Sequence, residues 1–152
     1  MRITNFLLIL SLMCCFAACN GSGGGVEGIF DDMQKALKNG DEDLFKQHWT
    51  ENGYRNALVK KSGMSGSELF QEGSGEGWYP RPDLSKNRHV GETLIVQAKI
   101  WSIEKNRSVD EVYFLLVKEN GTWKVAGGGE DIEEVLAADT NLLSQISRRE
   151  SD

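Results

Sequence analysis

No cysteine follows position 19 of this 152-residue chain. Everything downstream therefore lacks disulfides and thiolate metal ligands, and its stability must come from a packed core. Only two histidines are present, His48 and His89, and their separation offers no metal-ligand spacing such as His-x-x-x-His, so no metal or cofactor is expected. Basic residues are in deficit, 17 against 23 acids, for a net charge of −6. That balance disfavours nucleic acid, which needs a basic face to release counterions, and also direct electrostatic attachment to anionic lipid. No hydrophobic run reaches the roughly 20 residues that cross a bilayer as a helix. The main apolar run, Phe6 to Ala18, is 13 positions.

That short stretch has a meaning of its own. It follows a basic start at Arg2 and ends in the small pair Ala17-Ala18, the pattern of an export signal. Phe16-Ala17-Ala18-Cys19 resembles the lipobox of bacterial lipoproteins. The resemblance implies that residues 1–18 are a signal peptide, that Cys19 is lipidated and becomes the new N-terminus, and that the protein is anchored to the cell-envelope membrane. Asn20 after the cysteine is compatible with the periplasmic side of the outer membrane in cells with two membranes. Residues 19–25, the cysteine and its Gly/Ser-rich follower, form a flexible tether. Multiple acyl chains would hold the protein firmly, since each buried methylene contributes about 0.8 kcal/mol.

One domain is expected over residues 26–138, with a helical or frayed tail over 139–152. Val26, Ile29, Phe30, Met33 and Leu37 recur at helical spacing, and Asn39-Gly40 stops that helix. Asp41 caps a second helix from Glu42 to Trp49. Thr50 to Lys61 carries no clear pattern. A short helix is expected over Glu68 to Glu72, started by Ser65 or Ser67 and broken by Gly73-Ser74-Gly75-Glu76-Gly77. Trp78-Tyr79-Pro80-Arg81-Pro82-Asp83 is expected to be an irregular loop, because prolines and their predecessors resist regular structure. The rest is β. A long strand spans Glu92 to Lys105 with Leu94, Val96, Ala98 and Ile100 inward. A second covers Val109 to Lys118 and a third Thr122 to Ala126, joined by the hairpin signal Asn120-Gly121. Asp131 caps a last helix, Ile132 to Ala138.

Helices followed by long antiparallel strands make an α+β domain. The helix break Lys38-Asn39-Gly40-Asp41, the Trp49 that ends the second helix and the strand Gly121-Thr122-Trp123-Lys124-Val125 are together similar to the nuclear-transport-factor-two-like superfamily. That resemblance implies helices packed on a strongly curved antiparallel sheet, a cone around a cavity. A cystatin-like helix-on-sheet fold is the alternative.

The superfamily contains isomerases, dehydratases, cyclases, hydrolases and proteins without activity, so the fold decides nothing about chemistry. Isomerases of this shape pair a carboxylate base with a tyrosine or protonated-acid donor in an apolar cone. Tyr54, Tyr79, Tyr113, Asp83, Asp110 and Glu111 are the candidates here, and none matches a catalytic motif by position. No catalytic residue is assigned. His48 is expected to lie near a helix C-terminus and His89 in a loop. The glycines of 73–77 follow no strand, lack a lysine and include Glu76, which argues against a phosphate cradle. Trp49 and Trp123 are expected in the core. Trp78, Tyr79, Tyr54 and Trp101 are the candidate contacts for a ligand or partner, with Trp78-Tyr79 also suited to plugging the core edge. The leading reading is a lipid-anchored, non-catalytic domain that binds a small molecule or a protein. The alternatives are an enzyme using the cone as its active site, and a structural homodimer formed through an open sheet face bearing Ile95 and Trp101.

Overall fold

The computed structural model describes residues 25–59 and 63–138. The expected signal peptide, Cys19, most of the expected tether and the segment 139–152 lie outside the described residues. Helix α1 runs from Val26 to Asn39, and Gly40 ends it in the left-handed region at φ 68°. Asp41 caps α2 (Glu42–Gln47), its side chain accepting from the Leu44 N–H. The stretch 50–61 resolves into α3 (Glu51–Arg55), capped by Thr50, and the two-residue strand β1 (Leu58–Val59). Helix α4 spans Gly66–Glu76, strand β2 Trp78–Pro82, a 3-10 turn Leu84–Lys86 and strand β3 Arg88–Val90. Then come β4 (Thr93–Ser102), β5 (Arg107–Glu119), β6 (Thr122–Gly129) and α5 (Ile132–Ala138).

The strands form one six-stranded sheet in the order β1-β6-β5-β4-β2, with β3 also pairing β4. All neighbours are antiparallel except β1 against β6. Register shifts at Ile100/Trp101 and at Leu115/Leu116 interrupt the two long ladders. Such bulges bend a strand and strengthen its twist, which curls the sheet into a half-barrel. At the β5–β6 turn, Asn120 and Gly121 both take positive φ, 52° and 79°, as a two-residue hairpin turn of this type requires.

The helices fill the concave face. Ile29, Phe30, Met33, Ala36 and Leu37 of α1, Phe45 of α2, and Leu69 and Phe70 of α4 share one core with Leu94, Val96, Ala98 and Ile100 of β4. Val112, Phe114, Leu116 and Val125 complete it. The inward alternation on β4 is thus the expected one. On the convex face, Val135 of α5 packs with Ile95 and Leu115, and Ile132, Leu136 and Tyr113 border them. Ile95 is consequently 2% exposed, not open as a sheet-to-sheet contact of the bare face would have it. Trp101 is half-buried, with the Arg81 guanidinium 4.6 Å above its ring.

Two expectations need correction. Residues 78–82 are a strand, not an irregular loop. β2 lies at the edge of the sheet path, so only one side of it is paired. Ile103 N–H donates to the Gly77 carbonyl and Asp83 N–H donates to the Gln97 carbonyl. The odd positions therefore face β4, and the ring nitrogens of Pro80 and Pro82 fall on the side with no ladder, where a missing donor costs nothing. The second correction concerns α4, which continues through Gly73, Ser74, Gly75 and Glu76 before Gly77 ends it at φ 66°. A Cβ at Gly73 would lie 2.9 Å from Leu37 Cδ2 and 3.3 Å from the Trp78 ring. Glycine is there for close packing, and the capping box of Ser65 and Glu68 holds the other end of the helix. Among the described residues, no helix is long and apolar enough to cross a membrane.

Candidate functional site

The curvature leaves a cavity of about 220 Å³ between α4 and the β4–β5 pair. Its floor is apolar: Leu69, Ile100, Val112 and Phe114, with Trp78 on one side. Phe114 is fixed from behind by edge contacts with Phe30 at 5.4 Å and Trp49 at 6.3 Å. Glu72 and Glu76 of α4, and Val109 and Asp110 of β5, complete the lining. Val109 is 44% exposed and marks the mouth. Leu69, Glu72 and Glu76 are three and four residues apart, so one face of α4 carries both the apolar wall and the two acids. All three carboxylates are exposed. Among the described residues, no tyrosine, histidine, lysine or arginine lines this cavity.

The other candidates lie elsewhere. Tyr54 donates its hydroxyl to Glu42 Oε1 at 2.6 Å. Its ring lies on Gly66, where a Cβ would meet it at 2.3 Å, and the Lys46 ammonium stands 5.5 Å from its centroid. Burial, and then the bond to Glu42, push the Tyr54 hydroxyl far above the usual phenol range. The same bond, with one from Ser67, holds the Glu42 carboxyl below its ordinary range. Tyr54 also borders an open groove of about 450 Å³ with Asp43, Lys46, Trp49, Glu51 and Lys124.

His48 caps α2 and sets its Nε2 3.2 Å from Asp32 Oδ2, while Lys35 reaches Asp32 Oδ1 at 3.1 Å. Burial lowers the His48 pKa, and the neighbouring Asp32 only partly offsets it. This pair ties α1 to α2 and lines neither the cavity nor the groove.

Asp83 accepts from the Ser85 hydroxyl at 2.6 Å, which holds its carboxyl low. Glu111 accepts from the Gln97 amide, and Tyr113 lies on the convex face beside α5. His89 lies in strand β3, paired with Leu94, and not in the expected loop; it is exposed, 6.5 Å from the Trp123 ring. Trp49 is 4% exposed, as expected of a core residue, whereas Trp123 is only half-buried under the Lys118 ammonium. Tyr79 faces Trp101 across the β2–β4 ladder, with the Lys38 ammonium 5.0 Å from its ring.

Of the sequence candidates, the cavity thus gathers only Trp78 and Asp110. Sequence reasoning missed Glu72 and Glu76, although their spacing from Leu69 was a readable signal once the helix was allowed to pass Gly73. It also missed Asp32, which is 8% exposed and lies between Ile29 and Ala36 on the inward stripe of α1.

A solved structure named Rd1NTF2_05, a variant with point substitutions, matches with a TM-score of 0.53. Identity is 14%, over 66% of this chain and 91% of that one. The fold is nuclear-transport-factor-two-like. An NTF2-like protein of unknown function from Shewanella baltica is similar at a TM-score of 0.47 and 14% identity, over 66% of this chain and 85% of its own. A Nostoc punctiforme protein described as having a cystatin-like fold follows at 0.46 and 13%, over 66% of this chain and 83% of its own. No family model and no curated protein matches the sequence. The three carboxylates that line the described cavity, Glu72, Glu76 and Asp110, are all exposed. Among the described residues, no group of three His, Cys, Asp or Glu side chains is arranged to hold a metal ion.

Proposed function

We propose that the chain is a lipoprotein, anchored through Cys19, whose cone-shaped domain binds a small molecule without transforming it. The observation that carries the binding reading is the cavity beside Trp78. Its floor is hydrophobic, its mouth is open, and its acids stand at the exposed rim instead of in the dry interior where a general acid or base is tuned. Among the described residues, no histidine or tyrosine stands in its lining. The anchoring reading rests on Arg2, the apolar run 6–18 and the Ala17-Ala18-Cys19 junction, and it implies a domain held at the envelope membrane, on the periplasmic side of the outer membrane in a cell with two membranes.

Both parts have direct tests. Native mass spectrometry of the protein purified from cells should retain a small molecule, and adding that molecule should shift Trp78 emission in the wild type but not in Trp78→Phe. A chain that carries nothing and responds to no envelope extract would count against binding. For the anchor, intact mass should show loss of residues 1–18 and an added diacylglyceryl group at Cys19, abolished by Cys19→Ser. An unmodified, full-length chain in the soluble fraction would overturn it.

A further inference from the structure

Among the described residues, the charged groups that line the cavity are all acidic. Glu72 and Glu76 lie in the last turns of α4, and that helix has no basic residue in its last turn. Carboxylates there oppose the partial negative charge that unpaired carbonyls give a helix C-terminus. They also oppose each other, because side chains four residues apart on a helix are neighbours. Asp110 brings a third carboxylate from the facing strand, and its Oδ1 accepts the Glu111 N–H at 2.8 Å. Among the described residues, Glu72 and Glu76 have no ion-pair partner. Other acids of the helical layer do have cationic partners: Asp32 meets His48 and Lys35, and Glu51 meets Arg55 at 3.1 Å. Beneath the acids lie an indole, Trp78, and the phenyl ring of Phe114, surfaces that attract a cation by their ring faces and hold an apolar body by burial.

Resting on the reading of this cavity as a binding site, we infer that its ligand is a small organic cation: a protonated amine or quaternary ammonium carried on an apolar body. The ammonium sits at the mouth between Glu72, Glu76 and Asp110, and the apolar part enters against Phe114 and Trp78. At about 220 Å³ the space is below the roughly 300–1,000 Å³ of drug-sized pockets, which suits a short chain or a single ring. Anionic ligands are repelled by the same field that draws cations in.

The test uses three probes of one shape, hexylammonium, 1-hexanol and hexanoate, titrated into the purified chain and followed by ligand-observed saturation-transfer NMR. Hexylammonium is expected to bind at least about tenfold more tightly than hexanol, with hexanoate weakest. Raising the salt concentration should weaken hexylammonium and leave hexanol unchanged. The double variant Glu72→Gln/Glu76→Gln should reduce the preference to within about twofold while hexanol affinity and the near-UV circular dichroism stay as they were. If hexanol binds as well as hexylammonium, the cation inference falls and the binding cavity stands. If none of the three binds, both fall together.

Discussion

The two ends of the helical layer use acidic residues in opposite ways. Glu42 lies in the first turn of α2, where a carboxylate suits the helix dipole, and it accepts the Tyr54 hydroxyl. Glu76 lies in the last turn of α4, where a carboxylate opposes the dipole, beside Glu72 and above an open cavity. One end is closed, with Phe45 ringed by Trp49, Tyr54 and Phe70 at 5.7, 6.4 and 5.4 Å. The other is open, with apolar groups facing a void. Charge in the first region holds the fold together; charge in the second weakens it, and that contrast locates the site.

The contrast can be broken most severely at the closed end. Phe45 is 1% exposed, and Phe45→Ala should cost about 3–5 kcal/mol in urea unfolding. Leu69→Ala at the cavity wall should fall near the low end of the roughly 2–5 kcal/mol seen for such changes, because one side of Leu69 already lacks neighbours. Equal losses would mean that the cavity is closed in solution. Tyr54→Phe should cost about 1 kcal/mol by the same assay, since it removes one hydrogen bond to a charged group at a half-buried position.

A third contrast is in pH. Burial holds the His48 pKa below its ordinary value, so the unfolded chain binds this proton more readily than the folded one. Stability from this group is present above about pH 6.5 and is lost as pH falls from there toward the lowered folded value. His48→Gln should flatten that part of the stability–pH curve, as followed by thermal melts.

Much of this architecture was legible in the chain because local rules agreed with the tertiary outcome. Helix α1 shows its period and its Gly40 stop, β4 shows Leu94, Val96, Ala98 and Ile100 in alternation, and Asn120-Gly121 needs the positive φ that it takes. The failures arose where a distant neighbour overrode a local signal. Pro80 and Pro82 argue against a strand until β4 pairs with the other side of β2. Gly73 argues against a helix until Leu37 and the Trp78 ring require a residue without a Cβ. The site was less legible than the fold. Glu72 and Asp110 are far apart in sequence and meet only through the curl of the sheet, and the buried Asp32 was hidden among the polar residues of an amphipathic helix.

The smallest expected effect is also the most diagnostic. Unfolding free energies of Glu76→Gln and Glu42→Gln should be compared with wild type in the same low-salt buffer. Removing the Glu76 charge should stabilise the chain by about 0.2–0.5 kcal/mol, and removing the Glu42 charge should destabilise it. Loss of stability in both variants would contradict the claim that the acids at the cavity mouth are held there against the interest of the fold.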